Sequence, residues 1–104
     1  MEITANELTK WAKTNLGYIG FRLNRVNNIP FGKRKGTIEK GWADLQGYTN
    51  DGRYVAVEIK KIGDKLSKEQ KERLADIHNC GGIVYICTEV DKKATLVEWT
   101  KIKL

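Results

Sequence analysis

One short turn signal constrains the fold of this chain more than any other sequence feature. Asn50-Asp51-Gly52 separates two strand-like runs, WADLQGYT at 42–49 and RYVAVEIKKI at 53–62. Asp-Gly between runs of this kind is a strong local signal for a β-hairpin. The second run has one apolar face and one face that begins apolar and ends in Glu58 and Lys60. Its pattern predicts a buried strand, yet the strand carries two charges.

The length of the turn decides which residues face each other across the hairpin. A three-residue loop, with Gly52 in the left-handed position of a bulge turn, pairs Asp44 with Glu58. A tighter loop of Asp51 and Gly52 alone sets Asp44 opposite Ile59 and turns one strand over. The hydrophobic pattern favours the three-residue loop, because the tighter one would place polar residues of the first strand on the apolar face of the second.

In the favoured register two carboxylates meet on one face of the sheet. The Cβ atoms of Asp44 and Glu58 would lie about 4.5 to 5.5 Å apart, and Lys60 would follow about 6.6 Å along the same face. An ion pair between Lys60 and one carboxylate would leave the other acid unexplained. A divalent cation held by both carboxylates explains the pair better, since Mg²⁺ binds through one or two carboxylates and keeps several waters.

Two helices are predicted from capping boxes. Thr4 and Glu7 have this spacing at the start of the first helix, which is expected to end at Gly17, and Ser67 and Gln70 have it at the start of a helix within 66–82. Gln70 also shares a face with apolar residues, so it is expected to point towards the sheet. Gln70 and Glu7 therefore each have two open interpretations, a helix cap or a residue of the site, and for Glu7 the spacing alone favours the cap.

The remaining segments complete an α/β pattern in a single domain spanning residues 1–104. Residues 18–26 and the almost wholly apolar run 82–90 are predicted strands, and the tail at 92–104 has the pattern of a strand or a short helix. The order is helix, three strands, helix, strand and an ambiguous end. This order predicts a small mixed sheet flanked by helices.

The charge of the chain favours a polyanionic partner. Its 104 residues carry a net charge of +6, with a pI near 9.4, and such a balance attracts phosphates. The charge is concentrated at 33–40, which reads either as a solvated turn or as a loop that binds phosphates. Its basic residues are Lys33, Arg34, Lys35 and Lys40.

The cysteines and the amino terminus bear on the compartment. Cys80 and Cys87 are too few for a disulfide framework, and with His78 they lack the paired spacing of a zinc site. No apolar N-terminal segment resembles a signal peptide or a membrane span. We therefore expect a cytoplasmic protein, in a bacterium or a phage-infected host, that does not bind membranes.

The ordered set of site residues resembles the PD-(D/E)xK nuclease superfamily. An Asp, a hairpin, Glu-x-Lys on the next strand and a helix with an inward Gln follow one another in the order that the superfamily has. More narrowly, GWADLQG, VEIKK, LSKEQ and HNCGGIVYI resemble the VRR-NUC family of virus-type replication-repair nucleases. The family often has Gly-x-Pro-Asp, where this chain has Ala43 before Asp44; the change removes a φ constraint but no ligand.

The resemblance implies a restriction-endonuclease-like fold and Mg²⁺-dependent hydrolysis of DNA phosphodiesters, with Mn²⁺ as a substitute ion. By this resemblance the catalytic residues are Asp44, Glu58, Lys60 and Gln70. By the same resemblance, the metal ligands are Asp44, Glu58, the Ile59 carbonyl and Glu7. Beside such a site, the basic residues at 33–40 become candidates for DNA binding, with Arg22 a weaker one.

Stand-alone relatives suggest a homodimer that cuts branched DNA such as Holliday junctions in phage-type replication, repair or recombination. The alternative is a catalytically inactive nucleic-acid-binding module with the same fold. The sequence leaves open whether a replication or repair helicase directs the protein.

Overall fold

The computed structural model of the chain describes residues 2–26 and 43–102. Within these ranges the order is helix, three strands, helix and strand, as predicted, and the ambiguous tail supplies both a fifth strand and a short 3-10 turn. The elements are α1 (Ala5–Tyr18), β1 (Arg22–Arg25), β2 (Leu45–Tyr48), β3 (Tyr54–Lys60), α2 (Lys68–Asn79), β4 (Ile83–Val90), β5 (Lys93–Glu98) and the 3-10 turn Trp99–Lys101.

Both helices begin at their predicted capping boxes. The Thr4 hydroxyl accepts a hydrogen bond from the Glu7 amide, and the Glu7 side chain accepts one from the Thr4 amide. Ser67 and Gln70 make the same reciprocal pair at the start of α2. These bonds satisfy amide groups that have no partner inside the helix. The sequence spacing was therefore sufficient to place both helix starts.

The end of α1 differs from the prediction. The helix continues past Gly17, and the chain reverses at Gly20, which has a φ of 93°. The Gly20 amide donates to the Gly17 carbonyl at 3.0 Å, and the Phe21 amide donates to the Leu16 carbonyl at 3.1 Å. This Schellman motif requires the left-handed residue after the last helical turn, where glycine fits without strain. The first strand is consequently shorter than the predicted 18–26.

The five strands of the described ranges form one mixed sheet in the order β1-β2-β3-β4-β5. β3 and β4 are parallel, and every other neighbouring pair is antiparallel. A parallel pair needs a crossover connection, and α2 provides it. β4 has strand neighbours on both sides and contributes buried residues to both cores, Cys87 to the α1 core and Val84 and Ile86 to the α2 core, in line with its continuous hydrophobic run.

The observed hairpin has the register favoured by the sequence. Gln46 pairs with Ala56, and the Thr49 amide donates to the Arg53 carbonyl at 3.0 Å. Gly52 has a φ of 83°, as a left-handed loop position requires. The three-residue loop is thus confirmed, and with it the assignment of side chains to the two faces.

One helix covers each face of the sheet. Alternate residues of β3 point to opposite faces, so Val57 lies in the α1 core and Ala56 in the α2 core. Neither helix is long and apolar enough to cross a membrane, as judged over residues 2–26 and 43–102. The α1 core also contains Leu8, Ala12, Leu16, Leu23, Leu45, Val55, Ile59 and Cys87; the α2 core contains Ala43, Leu74, Ile77, Val84 and Ile86.

The predicted basic loop, with Lys33, Arg34, Lys35 and Lys40, lies outside the described residues. Its two points of attachment are described. The chain leaves the sheet after β1 at Val26, whose amide donates to the Asp44 carbonyl at 2.8 Å. It returns at Ala43, the residue before Asp44.

Candidate active site

Asp44 lies immediately before β2, at the end of the sheet where β3 also ends. Continuing the pairing of Leu45 with Val57 by one residue sets Asp44 opposite Glu58, on the face covered by α2. The Asp44 carboxylate accepts a hydrogen bond from the Ile59 amide at 2.9 Å through Oδ2. The structure therefore contains the predicted pair of facing carboxyl groups, and one member of the pair is held against the backbone of β3.

Glu58 is buried, with 2% of its surface exposed. The pKa of Glu58 is raised from an ordinary 4.5 to about 9, mainly by burial. A hydrogen bond to Asp44 and the negative charge of Asp44 raise the pKa further, whereas the positive charge of Lys60 lowers it. Its Oε2 atom has no hydrogen-bond partner among the described residues. An unpartnered buried carboxyl oxygen destabilises a fold, and a strongly shifted pKa beside a second acid is typical of a functional site.

Gln70 connects this carboxyl pair to the candidate catalytic lysine. Its Oε1 accepts hydrogen bonds from the Ser67 amide and from Lys60 Nζ, each at 2.9 Å. Its Nε2 approaches Glu58 Oε1 at 3.4 Å, a long hydrogen bond. The capping interpretation of Gln70 is therefore confirmed, and the same side chain contacts Lys60 and Glu58; its catalytic role stays a prediction. The side chain that begins α2 also orients Lys60, which is half-buried at the end of β3.

The acids and their surroundings fit a hard divalent cation. Two adjacent carboxyl groups, one with an unpartnered oxygen, are donors of the kind that Mg²⁺ and Mn²⁺ prefer. A bound cation would offset the repulsion between the two carboxylates and lower the pKa of Glu58. Among the residues that the structure describes, no group of three or more His, Cys, Asp or Glu side chains could hold a metal ion. The remaining ligands would be waters or substrate oxygens, as is usual for Mg²⁺.

Glu7 is placed differently from the other predicted site residues. It is exposed, and its side chain accepts a hydrogen bond from the Thr4 amide at 3.1 Å. This bond and the bond between the two side chains hold the pKa of Glu7 below its ordinary value. α1 packs on the face of the sheet opposite to Glu58. Glu7 thus caps its helix in this structure, and its role as a metal ligand stays a prediction, as does that of the Ile59 carbonyl.

The predicted DNA-binding residue of β1 lies away from the site. Arg22 pairs with Tyr48 near the hairpin turn and donates to Asn50 Oδ1 at 2.6 Å. Arg25 pairs with Leu45, next to Asp44, and three residues of strand place it about 10 Å from Arg22. The Arg25 side chain lies with α1, on the face opposite to the carboxyl pair, because its partner Leu45 belongs to the α1 core and because Arg25 donates to Asn6 Oδ1 at 3.1 Å. The structure therefore brings neither arginine of β1 to the carboxyl pair.

Comparison with known proteins agrees with this geometry. Residues 31–91, more than half of the chain, match the family model described as VRR-NUC domain. No curated protein sequence matches the chain. Among solved structures, the chain is similar to Hjc of Archaeoglobus fulgidus, described as a Holliday junction resolvase from an archaeal hyperthermophile, with a TM-score of 0.60 and 19% sequence identity. The alignment covers 91% of this chain and 79% of that one. The likeness shows that the fold is restriction-endonuclease-like.

Proposed function

Because the chain belongs to the VRR-NUC family of nuclease domains, we propose that it is a metal-dependent endonuclease that hydrolyses DNA phosphodiesters, selectively in branched DNA such as Holliday junctions. The observation that carries this proposal is the buried Glu58 carboxyl, which faces Asp44 and lies beside a lysine held by Gln70. A structural ion pair would not explain two adjacent acids with one unpartnered oxygen. The presence of Asp44, Glu58 and Lys60 is explained if the two acids bind a metal ion and the lysine stabilises negative charge.

Each residue of the site has a distinct proposed role. Asp44 and Glu58 hold Mg²⁺, or Mn²⁺ in its place, with the Ile59 carbonyl and Glu7 as further candidate ligands. When bound, the ion lowers the pKa of water and offsets charge on the phosphoryl oxygens. Lys60 orients the attacking water and stabilises negative charge in the transition state. Gln70 keeps the Lys60 ammonium group in place through its 2.9 Å hydrogen bond.

The basic segment is proposed to bind the DNA backbone. Lys33, Arg34, Lys35 and Lys40 belong to a stretch of chain whose two ends, Val26 and Ala43, adjoin Asp44. Phosphate contacts of this kind position a nucleic acid without reading its sequence. The net charge of +6 supports the same role. Arg22, at the far end of β1, remains a weaker candidate.

The branched substrate and the assembly form the finer part of the proposal. The Archaeoglobus fulgidus protein of similar fold is described as a Holliday junction resolvase. A four-way junction is two-fold symmetric, so resolving it calls for two equivalent active sites, and a homodimer supplies them. We place the activity in phage-type DNA replication, repair or recombination, in the cytoplasm of a bacterium or an infected host.

One cleavage assay tests the function. Purified protein is incubated with labelled single-stranded, duplex, flap and four-way-junction DNA in Mg²⁺, Mn²⁺ or EDTA. We expect cleavage of the junction that requires the metal. Asp44→Asn and Lys60→Ala should each reduce the rate by at least about 100-fold. Asp76→Asn and Lys68→Ala, which alter exposed residues of α2, are matched controls and should cleave normally.

The outcomes separate the proposal from its alternative. Cleavage that persists in EDTA, or that survives both site substitutions, contradicts a metal-dependent reaction at this site. Binding of DNA without cleavage in any metal would favour an inactive nucleic-acid-binding module. Equal cleavage of duplex and junction DNA would support the nuclease activity and exclude selectivity for branched DNA.

A further inference from the structure

A cleft of about 400 Å³ opens beside the candidate catalytic lysine. It lies on the α2 face of the sheet, where Lys60 forms part of its wall. Beyond Lys60 the cleft extends over β4 and β5, because α2 packs on β3 and β4 and leaves part of this face uncovered. The volume is within the range of sites that bind small organic groups, about 300 to 1,000 Å³.

The cleft combines an apolar floor with a basic rim. Ile86 and Val97 pair across β4 and β5, so their side chains share the floor, and the apolar residues Leu66 and Ile102 add to the lining. Lys60, Lys65 and Lys71 contribute three positive charges to the lining, against the single negative charge of Asp64.

This chemistry matches a nucleotide. A base and its sugar offer flat or apolar surface to aliphatic side chains, and the flanking phosphates attract lysines. The catalytic lysine belongs to both the active site and the cleft, so a strand whose phosphate meets Lys60 has its next nucleotide beside the opening. A paired base is stacked inside the duplex and cannot enter, whereas an unpaired base can.

We propose that this cleft receives one unpaired nucleotide of the DNA strand, adjacent to the phosphodiester that is cut. The inference rests on the proposed nuclease function and deepens it, since it names the substrate feature that the site selects. A flap supplies such a nucleotide directly, and the base pairs at the branch point of a junction, which lack continuous stacking on one side, open more readily than those of continuous duplex. The lining consists mainly of aliphatic side chains and lysine stems, so the cleft should accept all four bases to a similar degree.

The direct test is an abasic scan of a cleaved junction. Single nucleotides around the cut are replaced one at a time by an abasic analogue, and kcat/KM is measured for the wild-type protein. We expect one position next to the cut to lose about 10-fold, the scale of one base contact, while changing the base there has less than about a 2-fold effect. A flat scan overturns the inference, and it does so while the nuclease function stands.

Two variants connect the effect to the cleft. Val97→Phe fills the floor and should lower cleavage of the intact junction about 10-fold, with no further loss on the abasic substrate. Lys65→Gln with Lys71→Gln should weaken cleavage, and Lys10→Gln with Lys13→Gln, the same charge change on exposed positions of α1, should not. Equal effects of the two lysine pairs, or additive effects of Val97→Phe and the abasic site, contradict the inference.

A binding measurement separates this inference from the activity. Thymidine 5′-monophosphate is added in EDTA to protein labelled at its methyl groups, and NMR shifts are recorded. We expect saturable shifts of Leu66, Val97 and Ile102, and none of Leu8 in the α1 core. Absence of shifts at the three cleft residues overturns the inference. If no DNA is cleaved in any metal but these shifts occur, the nuclease function fails and the nucleotide site stands.

Discussion

Replacing Glu58 with glutamine should stabilise the metal-free protein at neutral pH. The folded protein has a Glu58 pKa of about 9, against an ordinary 4.5, which we take for the unfolded chain. Between these values the folded state retains a proton that the unfolded state releases. Because the unfolded state then binds fewer protons, the free energy of unfolding falls as pH rises from about 4.5 to about 9.

The size of the effect follows from the pKa difference. Each pH unit in this window lowers the free energy of unfolding by about 1.4 kcal/mol. At pH 7 the wild-type protein is therefore about 3 kcal/mol less stable than it would be below pH 4.5, as far as Glu58 alone is concerned. Glutamine does not titrate, and its amide can donate to Asp44 in place of the carboxyl proton. An allowance of about 1 kcal/mol for a less well-formed hydrogen bond leaves Glu58→Gln more stable than wild type by about 2 kcal/mol at pH 7.

Urea unfolding in EDTA at pH 5, 7 and 8.5 measures this difference. The advantage of Glu58→Gln should grow by about 4 kcal/mol from pH 5 to pH 8.5. Glu72→Gln is the control: Glu72 lies in an exposed pair with Lys68 at 3.9 Å, and its replacement should change stability by less than about 0.5 kcal/mol at every pH. A Glu58→Gln protein that is no more stable than wild type at pH 8.5, or whose advantage does not vary with pH, would refute the reasoning.

Three further predictions concern the scaffold. Gly47→Ala should lower the free energy of unfolding by at least about 3 kcal/mol, measured in urea or on heating, since its Cβ would lie 1.7 Å from the Arg22 carbonyl oxygen. Gly17→Ala is the control and should be neutral or stabilising, because nothing lies within 4 Å of the added carbon. A similar loss of stability in both variants would contradict the close approach at Gly47. Burial raises the pKa of the Cys87 thiol to about 12, whereas Cys80 is exposed. A thiol reagent at pH 8 should therefore label only Cys80 in the native protein and both cysteines in denaturant. Labelling of Cys87 in the native protein would contradict this prediction. Ser67→Ala should lower stability by about 1 kcal/mol, because the Gln70 amide loses the hydroxyl that accepts its hydrogen bond at 3.1 Å. The less ordered start of α2 should also slow junction cleavage, since Gln70 holds Lys60 from this turn. Ser67→Thr, which keeps the hydroxyl, should restore both measurements, and failure of that rescue would argue against a capping role.

The parts of the fold that sequence predicted correctly depend on neighbours along the chain. Capping boxes placed the starts of both helices, because each needs only two side chains three residues apart. The hairpin register followed from the left-handed position at Gly52 and from strand alternation. The pairing of Asp44 with Glu58 is a consequence of that register. Errors occurred at element ends, as at Gly17, where two nearby glycines could each stop the helix.

The sequence did not predict how elements distant along the chain are arranged relative to one another. The same capping-box pattern begins both helices, yet Gln70 reaches Lys60 and Glu58 while Glu7 lies with α1, on the other side of the sheet. The difference arises from which face each helix covers, and a local pattern carries no information on that choice.

Sequence alone therefore determined the residue types of the site and the order in which they occur, because strand period and turn geometry act over a few residues. Tertiary structure decided their surroundings. Packing of α2 buries Glu58, raises its pKa and leaves one of its oxygens without a partner among the described residues. The same packing leaves part of β4 and β5 uncovered and creates the cleft beside Lys60. Burial and cavities depend on how separate elements meet in space, so they appear only when the chain is folded.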